Sequence, residues 1–175
     1  MSVKSLTVIQ DDGGNDICVL SRNINGDLTS HGEELKRFLR GCVISKDGYI
    51  KDSRHSAASM GHLAVQMIKR LQINIGLIEM LPAGTRDQGE EYIYSIYPRH
   101  ALLEQPSLLN LRVEAAFPHY TEIDPNNQSK MTVLYDGLLD EFDANVVRAQ
   151  WEHAADELDH FVDTQVELAK SAAAN

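Results

Sequence analysis

The sequence predicts an α+β fold, with a largely antiparallel sheet, two short helices packed on one face and a long C-terminal amphipathic helix. Strand-like runs follow one another from residue 73 to residue 142, without the alternating helices of a βαβ fold. Segments 30–41 and 60–71 place apolar residues at helical spacing. Residues 143–171 contain neither glycine nor proline and repeat apolar residues at nearly heptad spacing.

The N-terminal segment predicts a β-hairpin. Residues 6–9 and 17–20 are rich in strand-forming residues, and they flank a polar stretch that contains Asp11, Asp12 and Asp16. These acids and the two glycines between them resemble part of a calcium-binding loop. They lack the regular alternation and the terminal glutamate of such loops, so the stretch is interpreted as a turn.

The first helix is predicted to begin at Ser30, which has capping-box spacing to Glu33. Gly41 follows the apolar stripe and can end the helix in the left-handed conformation. His31 lies in the first turn, where its ring can face outward. Residues 45–56 are polar and predict a connection to the second helix. Helical spacing predicts the buried face of that helix: Met60, Leu63, Ala64, Met67, Ile68 and Leu71.

The second half predicts a succession of strands. The dipeptide Asp136-Gly137 is typical of a tight hairpin turn between the last two of them, and residues 122–128 form a loop. The predicted strands cover residues 73–80, 92–97, 109–115, 132–135 and 138–142.

Residues 143–175 form the predicted C-terminal acidic helix, either part of the domain 1–142 or an oligomerisation element. Asp143 is a plausible N-cap. Such a helix is longer than a small domain is wide, so part of it should project and pair with a second copy as a homodimer. The candidate interface residues are Trp151, Leu158, Phe161, Val162 and Leu168.

Composition limits the function classes. The net charge of −10 repels nucleic acid phosphates, which argues against direct DNA or RNA binding and favours a basic protein partner. Cys18 and Cys42 lie among apolar residues and predict buried thiols. The sequence shows no signal-peptide core and no membrane-spanning stretch, which predicts a cytoplasmic protein without membrane association.

One loop gathers side chains that could carry chemistry. Asp87, Glu90 and Glu91 stand beside Tyr92 and, with His31, could bind a divalent cation or act as acid and base. The same residues are equally typical of a solvated turn at the entry to a strand. On the last helix, His153 with Glu157 and Asp156 with His160 have chelating spacing, although an acidic solvated face explains them better. No catalytic motif and no cofactor-binding motif is present.

The order of the segments resembles a family of small uncharacterised proteins encoded by bacteriophages. The matching stretches are residues 30–35, 38–39, 63–68, the Pro-x-Gly-Thr-x-Asp-x-Gly-Glu-Glu-Tyr-x-Tyr segment at 82–94, and 135–137. The likeness covers residues 5–142 and excludes the last helix. It implies a phage origin, hence the host cytoplasm, and an α+β fold, and it assigns no chemistry.

Two functions follow as hypotheses. The first is a non-catalytic acidic interaction protein that modulates or inhibits a host protein. The alternative is a small metal-dependent hydrolase that uses the carboxylate cluster of Asp87, Glu90 and Glu91 with His31.

Overall fold

The structure is a computed structural model that describes residues 2–45, 55–71, 78–99, 107–116 and 131–173. It confirms the α+β class, because helices and a β-sheet share one core. The strands are β1 Ser5–Gln10, β2 Asp16–Arg22, β3 Cys42–Ile44, β4 His55–Ala57, β5 Ile78–Leu81, β6 Tyr92–Pro98, β7 Ser107–Ala116 and β8 Met131–Leu138. The α-helices are α1 Glu33–Leu39, α2 Met60–Leu71 and α3 Ala144–Ala173.

The strands of the described residues form one eight-stranded sheet in the order β4-β3-β7-β6-β1-β2-β5, with β8 also paired to β7. The sheet is mixed, so the predicted largely antiparallel arrangement is too simple: β1 runs parallel to β6, and β3 runs parallel to β4. The alternation of side chains along a strand reports which face is buried, and it does not report the direction of the neighbouring strand. Strand β1 lies inside the sheet, because β2 pairs with one of its edges and β6 with the other.

Strand β7 has three neighbours. Its residues 109–115 pair with β6 along one edge, while β8 and β3 share the other edge. Asn110 pairs with Leu138 at the end of β8, and Leu108 pairs with Val43 of β3. Strands β3 and β8 therefore diverge from a common edge near the start of β7.

The helices cover one face of the sheet. Leu20, Thr7, Tyr94 and Val113 stand in a row across β2, β1, β6 and β7 on this face. Apolar residues of α1 and α2 belong to the same core cluster: Leu35, Leu39, Met60, Leu63, Ala64, Met67 and Leu71. The opposite face carries a second, smaller buried cluster of Leu6, Val8, Val19 and Ile93.

The start of the first helix differs from the prediction. Asp27, and not Ser30, is the N-cap, because its carboxylate accepts hydrogen bonds from the amides of Thr29 and Ser30. A π-helical turn, Leu28–Gly32, follows and leads into α1. Gly41 has a φ of 69° after the helix, which confirms the predicted left-handed ending.

The predicted hairpin at Asp136-Gly137 is wrong. Gly137 lies inside β8 opposite Leu111, and it is not among the glycines with a positive φ that a tight hairpin turn of this kind needs. The extended pairing of β8 with β7 wins over the local turn preference of the dipeptide. The predicted strand 138–142 is instead a 3-10 turn, Leu139–Glu141.

The first turn of α3 is anchored in the core. The carboxylate of Asp143 accepts hydrogen bonds from the amides of Asn145 and Val146, which confirms the predicted cap. Ala144 and Val147 are buried in the main core. The side chains of Leu158, Phe161, Val162 and Leu168 lie outside the described residues, as do the loop 122–128, residues 46–54 and residues 72–77.

The two cysteines, Cys18 and Cys42, are free thiols in the buried core, as predicted. In the part of the chain that the structure describes, no helix is long and apolar enough to cross a membrane.

Candidate functional site

His31 lies in the π-helical turn and is 1% exposed, so the prediction that its ring faces outward is wrong. Its Nε2 is 2.7 Å from the hydroxyl of Thr7 on β1, and its ring meets the ring of Tyr94 edge-on at 5.1 Å. In this turn Leu28, His31 and Gly32 are buried, while the Asp27 carboxylate caps the amides of Thr29 and Ser30. The imidazole is therefore part of the core.

Arg22, at the end of β2, connects His31 to α1. Its NH1 atom lies 2.8 Å from Nδ1 of His31 and also donates to the carboxylate of Glu34, while its Nε donates to the carbonyl of Ile24. A guanidinium only donates, so Nδ1 accepts and the proton of the neutral ring resides on Nε2. His31 then donates to the Thr7 hydroxyl, and the tautomer is fixed by its partners.

The electrostatics follow from this arrangement. Burial lowers the pKa of His31, and the Arg22 charge acts in the same direction against the opposing effect of Glu34. The neighbouring His31 ring and the hydrogen bond from Arg22 lower the pKa of Glu34 to about 2. Of these two contacts the one from Arg22 is shorter, since Nδ1 of His31 is 3.8 Å from the carboxylate. The cluster holds an ion pair and a neutral imidazole.

The loop before β6 holds the predicted carboxylates. The side chain of Glu90 accepts hydrogen bonds from the amides of Asp87 at 3.0 Å and of Gln88 at 2.6 Å. Asp87 has a φ of 59° and Gly89 a φ of 75°, so the chain folds back tightly on the carboxylate. The Glu90 carboxylate therefore stabilises its own loop, which agrees with the alternative interpretation of these residues as a turn.

Glu91 and Tyr92 lead from this loop into the sheet. The Glu91 side chain is exposed, while its amide donates to the carbonyl of Lys4. Tyr92 is half-buried and stacks on Tyr94, with ring centroids 6.2 Å apart. Burial raises the pKa of Tyr92, and the charges of Asp27 and Glu91 add to this.

The structure places the five predicted site residues, His31, Asp87, Glu90, Glu91 and Tyr92, in two different settings. His31 is buried beneath the π-helical turn, and the three acids belong to the surface loop. Tyr92 stacks on Tyr94, whose ring in turn contacts the ring of His31. Within the described ranges no group of three or more His, Cys, Asp or Glu side chains is placed to hold a metal ion.

A second polar cluster lies on the sheet face opposite the helices, and the sequence did not single it out. Arg112 of β7 contacts the carboxylate of Glu114 at 3.0 Å and that of Asp136 at 3.9 Å. The phenol of Tyr97 donates to Asp136, and burial together with this carboxylate raises the pKa of Tyr97 to about 12. The sequence did contain a signal for this cluster, because polar residues alternate with apolar ones along β7 and so share the face opposite the helices.

A cavity of about 80 Å³ opens beside the point where β3 and β8 diverge. Its walls are mostly apolar, and two carboxylates lie among the lining residues: Leu39, Cys42, Leu108, Leu109, Leu138, Asp140 and Glu141. Burial, together with the charge of Asp140, raises the pKa of the Cys42 thiol to about 11. This thiol therefore stays protonated at neutral pH and is a poor nucleophile.

Comparison with protein-family models, with curated proteins and with solved structures finds no match to this chain.

Proposed function

We propose that this protein acts without catalysis, by binding a basic partner protein, and that it does so as a homodimer joined through a long amphipathic α3. The observation that supports this most is the exposure of the described side chains of α3 that follow Val147. Among its described side chains between residues 148 and 164 none is buried, and only Trp151 and Ala155 are half-buried. The helix leaves the core that holds Ala144 and Val147.

The apolar residues of the outer helix supply the reason for pairing. At about 1.5 Å per residue, the 30 residues of α3 extend roughly 45 Å. Leucine and phenylalanine side chains cost about 1.5–3 kcal/mol each when they stay in water rather than becoming buried. The near-heptad stripe Trp151, Leu158, Phe161, Val162 and Leu168 fits the seam between two such helices.

The charge of the chain indicates the partner. The net charge is −10, and the described acids of α3, Glu152 and Asp156, have exposed side chains. A surface of one sign attracts a partner of the other sign and raises the rate of association. The resemblance to bacteriophage proteins makes a basic host protein the expected partner, which the protein would modulate or inhibit.

Light scattering tests the homodimer. A chain that ends at Asp156 keeps the buried anchors Ala144 and Val147, so it should fold and be monomeric, while the full chain is dimeric. Phe161→Asp places a charge in the apolar stripe and should also give a monomer. His160→Asp is the matched control, because His160 is exposed and a charge there lies beside the stripe. A monomeric full-length chain would contradict the proposal.

Salt tests the acidic surface. Capture of a partner from a host lysate should weaken steeply between about 0.05 and 0.5 M salt, because screening shortens the reach of exposed charges. A captured partner whose binding is indifferent to salt would argue against recognition by charge.

A further inference from the structure

We propose that the cavity at the divergence of β3 and β8 is a docking site for one lysine side chain of the basic partner. This inference rests on the proposed function, since it specifies how a basic protein would be recognised. The cavity follows from the sheet topology: one edge of β7 serves both β8 and β3, and the two strands separate where Leu108 and Leu109 lie. A gap in the sheet remains at this place.

The shape of the cavity suits a slender chain. Its volume of about 80 Å³ is roughly half that of an engineered cavity that holds benzene. The walls come from Leu39, Leu109 and Cys42, which are nearly fully buried, and Leu108 is 40% exposed. An apolar stem with a polar end fills such a space, and the four methylene groups of lysine form one.

The charge of the lining defines the end group. Asp140 and Glu141 of the 3-10 turn have exposed side chains and lie among the residues that line the cavity. One oxygen of Asp140 accepts the amide of Gly41 at 3.0 Å, which fixes the carboxylate in place and leaves its other oxygen available. In the described part of the chain neither acid has an ion-pair partner.

Lysine fits better than arginine. A guanidinium is planar and binds carboxylates through two parallel hydrogen bonds, whereas an ammonium is a compact charge with freely oriented donors. One oxygen of Asp140 already serves Gly41, so the paired geometry that arginine prefers is not offered by this residue.

The test uses the full chain, labelled with ¹⁵N, and three short peptides with acetylated N-termini and amidated C-termini. The peptides carry one lysine, one ε-acetyl-lysine or one arginine between glycines. The lysine peptide should shift the amide signals of Gly41, Leu108 and Leu109 in a saturable manner, and the other two peptides should shift them several-fold less. Equal shifts with ε-acetyl-lysine, or no saturable shift at these amides, would overturn the inference.

Two variants test separately the carboxylates of Asp140 and Glu141 and the volume of the cavity. Asp140→Asn with Glu141→Gln removes the charges and keeps an acceptor for Gly41, and it should weaken binding by roughly fivefold. Cys42→Leu fills the cavity, keeps the carboxylates and should abolish the shifts of the amide signals. Asp156→Asn removes one charge from α3 as a control and should leave these shifts unchanged. Failure of Cys42→Leu to fold leaves the double variant as the deciding measurement.

The two proposals fail in different ways. A homodimer whose cavity ignores the lysine peptide contradicts this inference and leaves the dimer in place. Saturable lysine binding by a monomeric chain contradicts the dimer and supports the cavity. Tighter binding of a free diamine than of the lysine peptide would show that the occupant is a small amine, and it would overturn the assignment to a partner protein.

Discussion

Two arginine-centred clusters occupy opposite faces of the same sheet, and they differ in how completely the arginine is used. Arg22 is 15% exposed and donates to Glu34, to His31 and to the carbonyl of Ile24. Arg112 is 41% exposed and contacts two carboxylates, while its buried Nε has no hydrogen-bond partner. The first cluster is closed by protein groups, and the second remains open to water at its guanidinium.

The fold depends on these two arginines to different degrees. A buried charge pair is costly to break because the partner left behind cannot return to water. When one partner of a half-exposed pair is removed, water solvates the other partner, so the loss of stability is small. The helix-covered face, where Tyr94 and Thr7 surround His31, should therefore depend strongly on Arg22, and the opposite face should depend weakly on Arg112.

The largest expected effect is the loss of Arg22. Arg22→Leu removes the Arg22 donor from Glu34 and from Nδ1 of the buried His31, so the free energy of unfolding should fall by about 3 kcal/mol. Urea unfolding followed by circular dichroism measures this. Arg112→Leu is the matched control and should cost about 1 kcal/mol or less. Equal losses in the two variants would show that the two clusters support the fold alike.

The second expected effect is a loss of stability in mild acid. Because the pKa of His31 is lowered in the folded chain, the unfolded chain binds a proton first as the pH falls through the ordinary value of 6.5. The contribution of His31 is complete above this pH and is lost below it, by at most about 1.4 kcal/mol per pH unit. Glu34 adds a second loss between 4.5 and about 2.

The check is urea unfolding at several pH values between 7 and 5, for the natural chain and for His31→Gln. The slope of stability against pH should be shallower in the variant, because it lacks the imidazole whose pKa is lowered by folding. NMR titration of the His31 ring in the folded protein gives the same answer directly. A ring that gains its proton above pH 6.5 would contradict the arrangement of donors around it.

The smallest expected effect concerns Tyr97. Asp136→Asn removes the carboxylate that accepts the phenol proton, so the pKa of Tyr97 should fall below about 12. It should stay above the ordinary value of 10, because burial is the largest cause of the shift. Ultraviolet titration of the tyrosines, with Tyr97→Phe to assign the signal, measures this shift. Stability should change by less than about 1 kcal/mol, because Asp136 is half-exposed. An unchanged titration would show that the carboxylate does not act on the phenol.

The elements whose periodicity is local were predictable from the sequence. The hairpin of β1 and β2, the apolar face of α2 and the alternation along β7 all follow from side chains that are neighbours in sequence. The parallel pairing of Thr7 with Tyr94 was not predictable, because strand direction depends on how the distant chain returns. The hairpin prediction at Asp136-Gly137 was wrong for the same reason, because pairing with the distant strand β7 overrides the local turn preference.

The candidate site was harder to predict than the fold. The carboxylates of Asp87, Glu90 and Glu91 are adjacent in sequence and drew attention for that reason, although Glu90 serves its own loop. Arg22 and Thr7 lie 9 and 24 positions from His31, and only the folded sheet brings them together. Asp27 carried the one local signal, because an aspartate before a helical segment is a strong N-cap.

The parallel pairing of β1 with β6 has a consequence for the newly made chain. Strand β1 receives β2 as soon as the hairpin is synthesised, but its other edge waits for Tyr92–Pro98. At about 5–20 residues per second, a ribosome needs roughly 4 to 15 seconds to make residues 23–98. Throughout that interval the backbone groups along one edge of β1, which carries Leu6, Val8 and Ile9, can pair with other chains. A slowed ribosome should therefore favour aggregation of this protein.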